Sequence, residues 1–156
     1  MSVDYRGELI EQLDWHWRTF LRPRFGEIAD DEYTWLPPMS GTVTTIAWRL
    51  HHIGGSVLGW RVAAHVTHTA TSHAEHIARV PIPPTAAEGL ALVDTQYALW
   101  MDALRAKDDA GFAAPCGPAE GPYADAPFAS LVLHINREVI HHGAEILLLQ
   151  DLYAAR

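Results

Sequence analysis

Four stretches of the sequence place apolar side chains every three or four residues, which is the spacing of one face of an α-helix. None shows the convincing apolar–polar alternation of a half-buried β-strand. The four apolar stripes are Ile10, Leu13, Trp17, Phe20 and Leu21; Ile46, Leu50, Ile53, Val57 and Trp60; Leu90, Val93, Tyr97, Trp100 and Leu104; and Phe128, Leu131, Ile135, Val139, Ile146, Leu149 and Leu152. Because each stripe must be buried against a neighbour, the pattern predicts an all-α four-helix bundle.

Local signals suggest where these helices begin. They are predicted to span residues 3–25, residues 42–66, a segment from Thr85 through Leu104, and a segment from Pro127 to near the end of the chain. Thr85 and Glu88 form a capping box, in which each side chain satisfies a backbone N–H of the first turn. Cap residues for the second and fourth helices are available at Ser40, Thr42 and Thr44 and at Asp125 and Ala126.

Long connections rich in proline, glycine and alanine separate these helices, so the order in which the chain threads the bundle stays open. The 156 residues, 49% hydrophobic and 19% charged, predict a single globular domain over residues 1–156. Three glycines, Gly54, Gly55 and Gly59, lie inside the second helix, where each costs about 1 kcal/mol relative to alanine. They predict the close approach of a neighbouring helix or a ligand.

The charge balance narrows the classes of partner. The formal net charge is −8, from 11 Lys and Arg against 19 Asp and Glu. An acidic chain without a basic cluster argues against binding nucleic acid or an anionic membrane surface. No apolar run approaches the ~18 residues of a spanning helix. Cys116 is the only cysteine, so no internal disulfide can form, and we expect a cytoplasmic protein.

The last predicted helix carries titratable groups beside its apolar stripe. Glu138 and His142 are four residues apart, so they stand one turn from each other on the same face, and His134 continues the row. A buried carboxylate without a partner costs several kcal/mol, on the order of 3–5. Imidazole and carboxylate are ligands for zinc, nickel and iron, and helix bundles build metal sites from such inward-facing side chains. The spacing therefore favours a divalent metal site.

A third protein ligand would have to come from another helix. The second helix offers His51 and His52 in the run WRLHHIGG, and the chain contains ten histidines in all. Apolar residues flank both histidines on all sides, so periodicity does not choose between them. The residues by themselves also permit a bundle without metal, in which Glu138 pairs with Arg49 or Arg137.

Two segments of this chain resemble the DinB/YfiT-like superfamily. They are TIAWRLHHIG, residues 45–54, and LHINREVIHHGAEILLLQDL, residues 133–152; the connection ADDEYTWLPPMSGTVTTIAW is similar as well. That superfamily comprises four-helix-bundle metalloenzymes and includes the mycothiol-dependent maleylpyruvate isomerases. The resemblance covers essentially the whole chain, although its specific part is about 30 residues. It implies the same four-helix bundle with long connecting loops.

The resemblance also implies a metal triad, formed by one histidine of the second helix and two ligands four apart on the last helix. These positions fall on His52, Glu138 and His142. Glu138 stands where many members have histidine, which makes the site more anionic. His134 falls on a frequent upstream histidine, which we interpret as a residue that orients a ligand. The run HHGAE replaces a common His-Arg-Gly-Gln run, so nothing is inferred from that arginine.

For the activity, the resemblance implies a metal-dependent transferase or isomerase that uses a low-molecular-weight thiol of the mycothiol type. Zinc is the leading candidate for the metal, with nickel and iron as alternatives. Three protein ligands leave a coordination position open, as in catalytic sites. The expected partner is a small-molecule substrate, and the family raises the expectation of a homodimer. The candidate acid–base groups are His51, His134 and His141.

The alternative function is a non-catalytic metal-binding domain with a stress or sensor role. Other groups have less specific interpretations. Glu145, one turn beyond His142, either orients a ligand or makes a surface contact. A second histidine cluster, formed by His65, His68, His73 and His76, is expected in a solvated loop. Cys116 lies in a Gly/Pro loop without an identifiable base, which favours an unreactive thiol.

Overall fold

The structure is a computed structural model, and it describes residues 3–26, 28–38, 43–70 and 72–156. Within these residues the regular structure is helical, apart from one isolated bridge between Pro115 and Pro127. The α-helices are α1 (Tyr5–His16), α2 (Arg22–Phe25), α3 (Asp30–Tyr33), α4 (Ile46–His51), α5 (Trp60–His65), α6 (His73–Arg79), α7 (Ala86–Ala106), α8 (Asp109–Ala113) and α9 (Phe128–Ala154). No helix among the described residues is long and apolar enough to cross a membrane.

Four long helical rods form the bundle. The first consists of α1, a π-helical segment (Trp17–Leu21) and α2 in direct succession, and the second of α4, a π-helical segment (His52–Gly59) and α5. The third and fourth rods are α7 and α9. The first rod packs against α9 and α7, and the second rod also packs against both. The predicted four-helix bundle is therefore confirmed.

The helix starts agree with the prediction in part. The Thr85 hydroxyl accepts a hydrogen bond from the Glu88 N–H at 3.2 Å, which is one of the two bonds of the predicted capping box. The second rod begins at Ile46, where Thr45 accepts from the Trp48 N–H. Thr44 is therefore not the cap, and Ser40 and Thr42 lie outside the described residues. The prediction of Asp125 or Ala126 as the last cap was wrong, because α9 is preceded by Pro127 without a side-chain cap.

Nearly all stripe residues are buried, which is why the stripes predicted the packing. The exceptions are Phe20, 47% exposed, and Leu152, 40% exposed. Phe20 lies in the first π-helical segment, where the wider turn rotates it away from the stripe and onto Trp15, with ring centroids 4.9 Å apart. Leu152 lies near the end of α9, in its last turn.

The connections contain short helices that periodicity did not reveal. The predicted solvated loop around His73 and His76 contains α6, whose start is capped by the Ser72 hydroxyl. A 3₁₀-helix (Pro118–Tyr123) lies between α8 and α9, and its Glu120 reaches back to Arg61 and His65 of α5. The prediction of a loop was therefore wrong for part of the histidine cluster.

The π-helical segment of the second rod starts at His52, the predicted metal ligand. The Trp60 N–H bonds to the Gly55 carbonyl, five residues earlier, as in π geometry. A Cβ on Gly59 would lie 2.5 Å from the Gly54 carbonyl oxygen. A Cβ on Gly54 would lie 2.9 Å from Leu92 Cγ on α7. The glycines thus permit both the wide turn and the close contact between helices that the sequence predicted.

We expect Gly54→Ala to destabilise the protein by about 1–3 kcal/mol, because the new methyl group has no space against α7. Urea unfolding followed by circular dichroism measures the change. Gly26→Ala is the matched control, since its Cβ would meet nothing closer than Arg22 Nη1 at 3.4 Å. Equal stability of the Gly54→Ala variant and the wild type would contradict the close contact.

Candidate metal centre

Three side chains from two rods meet at one point. The Nε2 atom of His142 lies 3.5 Å from Glu138 Oε2, and the Nε2 atom of His52 lies 3.9 Å from the same oxygen. One ligand atom from each of the three residues lies within 4.8 Å of the others. The structure thus brings together the three residues that the family resemblance selected. Their assignment as metal ligands stays a prediction.

The separations suit a small divalent cation. Ligand bonds of about 2.0–2.2 Å in tetrahedral geometry put neighbouring ligand atoms roughly 3.4 Å apart. The two distances to Glu138 Oε2 are therefore within about 0.5 Å of this value. The side chains of His52, Glu138 and His142 are 26%, 22% and 14% exposed, so the cluster is partly open.

Two further residues fix the orientation of His142. Glu145 Oε2 lies 2.7 Å from His142 Nδ1, which holds the imidazole proton on that nitrogen and leaves the Nε2 lone pair facing Glu138 and His52. The buried Arg49 donates from Nε to the same Glu145 oxygen at 2.9 Å and also bonds to Thr44. Glu145 therefore occupies the place that an orienting carboxylate requires.

The electrostatics favour a neutral imidazole at His52. Burial, with an added repulsion from His142, lowers the pKa of His52 to about 4 despite the opposing charge of Glu138. Burial alone would raise the pKa of Glu145, but hydrogen bonds from His142 and Arg49 outweigh it and hold that pKa below its usual range. At neutral pH His52 is therefore a neutral imidazole with one free nitrogen lone pair, and a metal would not have to displace the second proton of an imidazolium.

Trp48 forms one wall of the cluster. Its indole ring stacks on the His52 imidazole with centroids 4.9 Å apart and an interplanar angle of 5°. The His52 and His142 rings meet edge to face at 4.6 Å. This stacking limits rotation of the His52 ring and keeps its Nε2 directed at Glu138.

We expect Glu145→Gln to weaken zinc binding by about 10–100-fold, because His142 loses the anion that orients its ring and raises its basicity. Competition titration against a chromophoric zinc chelator measures the affinity. Glu75→Gln, which alters the exposed i,i+4 pair with Arg79, is the control and should bind zinc like the wild type. An unchanged affinity in Glu145→Gln would mean that Glu145 does not orient a ligand.

The three acid–base candidates occupy different surroundings. His51 is buried, and its Nε2 lies 2.6 Å from the Val80 carbonyl oxygen, so it faces the connection before α7. His141 is exposed on the outer side of α9, 3.5 Å from Glu145. His134 lies beside the cluster, with Nδ1 3.7 Å from Glu138 Oε1. The contact with Glu138 places His134 next to the candidate metal centre.

The two arginines of the metal-free alternative behave differently. Arg137 Nη2 lies 3.4 Å from Glu138 Oε1, whereas Arg49 pairs with Glu145 instead. The Arg137 contact uses only one oxygen of Glu138 and leaves Oε2 to the histidines. Glu138 therefore has an arginine partner, as the metal-free alternative predicts for Arg137, while its Oε2 atom still faces the two histidines.

A second group with ligand-like spacing occurs among the described residues, formed by His141, His142 and Glu145. It shares His142 with the first group, but its Glu145 lies beside the other ring nitrogen, Nδ1. Arg49 already occupies Glu145 with a charged hydrogen bond at 2.9 Å, which opposes a cation there. The group with His52 is therefore the better candidate.

Each of the four histidines of the predicted second cluster contacts another residue of the protein. His65 Nε2 lies 2.9 Å from Glu120, His76 Nε2 lies 3.1 Å from the Gly55 carbonyl, and His68 Nδ1 lies 3.0 Å from the Ala64 carbonyl. His73 packs edge to face on Trp60. Burial raises the pKa of the Cys116 thiol, in agreement with the expected low reactivity.

Sequence reasoning did not identify two contacts at the site, the stacking of Trp48 on His52 and the pairing of Arg49 with Glu145. Trp48 lies one turn before His52, so the i,i+4 spacing could have indicated the ring stack. No local signal identifies the Arg49–Glu145 pair, because its members are 96 residues apart in the chain.

Comparison with known proteins identifies a family whose match includes the candidate ligands. No curated protein and no solved structure matches the chain. A family model described as the DinB superfamily matches residues 12–146, which include both helices of the cluster and all three candidate ligands. The match covers most of the sequence, and the chain therefore belongs to the DinB superfamily.

Proposed function

We propose that this protein is a divalent-metal-dependent enzyme that transfers or isomerises groups with the help of a low-molecular-weight thiol. The observation that carries the proposal is the convergence of His52, Glu138 and His142, whose ligand atoms lie within 4.8 Å of one another at a partly open position. Two imidazoles and one carboxylate form a donor set suited to zinc, nickel or iron, and zinc is our leading candidate.

A bound cation would supply a lowered pKa for a thiol or water that enters the open coordination position. In a transfer reaction, the thiol sulfur forms a bond to an electrophilic carbon, the leaving group departs with its electron pair, and the thiol proton passes to solvent. The chain orients the two candidate histidine ligands. Trp48 holds the His52 ring, and Glu145 holds that of His142.

His134 is the residue that we propose contacts the substrate. Arg137 Nη2 lies 2.7 Å from His134 Nδ1 and must be the donor, because guanidinium has no acceptor. Burial lowers the pKa of His134, so its ring is neutral and keeps its proton on Nε2. A neutral imidazole in this tautomer donates a hydrogen bond, which would stabilise negative charge that develops on a substrate oxygen or leaving group.

A non-catalytic metal-binding domain is the second candidate. A purely structural site would close all metal positions with protein ligands. Three candidate ligands and a cavity of about 360 Å³ beside His134 favour catalysis over this alternative. A cytoplasmic location, a small-molecule substrate and a homodimer stay predictions.

The test combines metal analysis with a spectroscopic probe of the open position. We expect the protein as purified to contain about one divalent ion per chain, and the cobalt-substituted form to develop a sulfur-to-metal absorption band with N-acetylcysteine. Transfer of that thiol to 1-chloro-2,4-dinitrobenzene would then be measured with and without metal. Stoichiometric metal without the thiol band would favour the binding domain, and protein that binds no metal would refute both candidates.

A further inference from the structure

A cavity of about 360 Å³ lies along the second rod and α9, next to the candidate metal centre. Arg61 contributes from α5, Cys116 and Glu120 from the connection before α9, and His134 and Arg137 from α9 itself. The volume falls in the range of roughly 300–1,000 Å³ typical of small-molecule sites. His134 links the cavity to the cluster, because it also lies 3.7 Å from Glu138.

The walls of the cavity are mainly apolar. Leu131 is buried at its base, and Cys116 is a buried, uncharged thiol. Contact with such walls is favourable for the carbon-rich body of a ligand and unfavourable for a strongly hydrated one. The polar groups of the lining include the Arg61–Glu120 ion pair and also His134 and Arg137, which lie next to Glu138.

Two arginines line the cavity, and their charges are balanced to different degrees. Arg61 donates to Glu120 at 3.0 Å, and Glu120 is also bound by His65 at 2.9 Å, so the Arg61 charge is balanced. Arg137 is 69% exposed, and within the described part of the chain its recorded hydrogen bonds all involve Nη2. Within that part of the chain, the Nε and Nη1 atoms of Arg137 have no hydrogen-bond acceptor.

Glu138 is the carboxylate nearest to Arg137, at 3.4 Å. If Glu138 binds a cation, as the proposed function requires, its charge is taken up by that ion. Arg137 then becomes a positive group beside a second positive group, at the mouth of an apolar cavity. A carboxylate is the partner that an arginine fork matches best, through two parallel hydrogen bonds.

We propose that this cavity binds a small carboxylate with an apolar body, and that Arg137 pairs with its anionic group. The carboxylate lies at the end of the cavity nearest His134, and the apolar body lies against Leu131 and Cys116. The ligand thus places its charged end towards the metal centre. This inference depends on the proposed function in one step, in which a cation bound by Glu138 frees Arg137 to pair with the ligand.

The single cysteine gives a specific readout, because alkylation by iodoacetamide modifies Cys116 alone and can be followed by intact mass. The probes are naphthalene-2-carboxylate and its neutral isostere naphthalene-2-carboxamide. We expect the carboxylate to protect Cys116 and the carboxamide to protect it at least about tenfold less well at equal concentration, since a charged hydrogen bond contributes about 1.5–3 kcal/mol. Calorimetric titration with both probes provides the same comparison should alkylation be too slow.

Arg137→Gln should remove the preference for the carboxylate, whereas Arg24→Gln, at the exposed pair with Asp151, should retain it. Equal binding of both probes, or an unchanged preference in Arg137→Gln, would overturn the proposal. Zinc-loaded and metal-free protein are compared. A preference that depends on Arg137 in protein that binds no zinc would support the cavity and refute the proposed function. Zinc binding without a preference for the carboxylate would support the metal centre of the proposed function and refute the carboxylate site in the cavity.

Discussion

His52→Ala, Glu138→Gln and His142→Ala should each lower zinc affinity by at least about 100-fold, because even the loss of a residue that only orients a ligand costs 10–100-fold. Each substitution leaves two of the three candidate ligands. These are both ligands on α9 in His52→Ala, and His52 with one ligand on α9 in the other two variants. Elemental analysis of the purified variants and competition titration with a zinc chelator measure the loss. In addition, zinc should raise the melting temperature of the wild type and leave that of the variants nearly unchanged.

His141→Ala is the matched control for these variants. His141 adjoins His142 in the chain but is exposed, and it belongs only to the alternative group with Glu145. If the cation binds between His52 and Glu138, the His141→Ala variant retains the wild-type affinity. Loss of zinc in His141→Ala together with full zinc content in His52→Ala would assign the metal to the alternative group and refute the proposed site.

The bundle was predictable because burial imposes a period on the sequence. The stripes on α7 and α9 needed only helical spacing to be recognised, and the structure buries nearly all of their residues. The π-helical segments were not predictable in the same way, because an i→i+5 hydrogen bond changes the register locally and has no residue code of its own. Gly54 and Gly59 indicated close approach, but not the wide turn that their lack of a side chain permits.

The site was predictable on α9 and ambiguous on the second rod. Glu138 and His142 share a face by spacing alone, whereas His51 and His52 are neighbours between apolar residues. The structure distinguishes the two histidines by their contacts. His51 Nε2 lies within hydrogen-bonding distance of the Val80 carbonyl oxygen, whereas the Trp48 ring stacks on His52. Such contacts depend on how the connections fold over the bundle, and no period in the sequence reports them.

Glu120→Gln should destabilise the protein by about 3 kcal/mol, since removing one partner of a buried ion pair leaves the other charge unpaired. The Glu120 side chain is 6% exposed and joins Arg61 at 3.0 Å to His65 at 2.9 Å, which attaches the connection before α9 to α5. Thermal unfolding should show a melting temperature lower by roughly 6–12 °C. Asp151→Asn, at the exposed pair with Arg24, is the control and should cost less than about 1 kcal/mol.

The pH dependence of the stability tests whether the charge of Glu120 causes the destabilisation in Glu120→Gln. Burial raises the pKa of Glu120, but His65 and Arg61 outweigh it, so the folded-state pKa lies below the unfolded value. The stabilisation is therefore fully present above about pH 5 and is lost as the pH falls through the folded pKa, because the unfolded state binds the proton first. The difference in stability between wild type and Glu120→Gln should accordingly shrink in acid.

Adding Arg61→Met to Glu120→Gln should restore part of the lost stability, since the unpaired guanidinium is removed. A double variant no more stable than Glu120→Gln alone would mean that the ion pair does not hold the connection before α9 to α5.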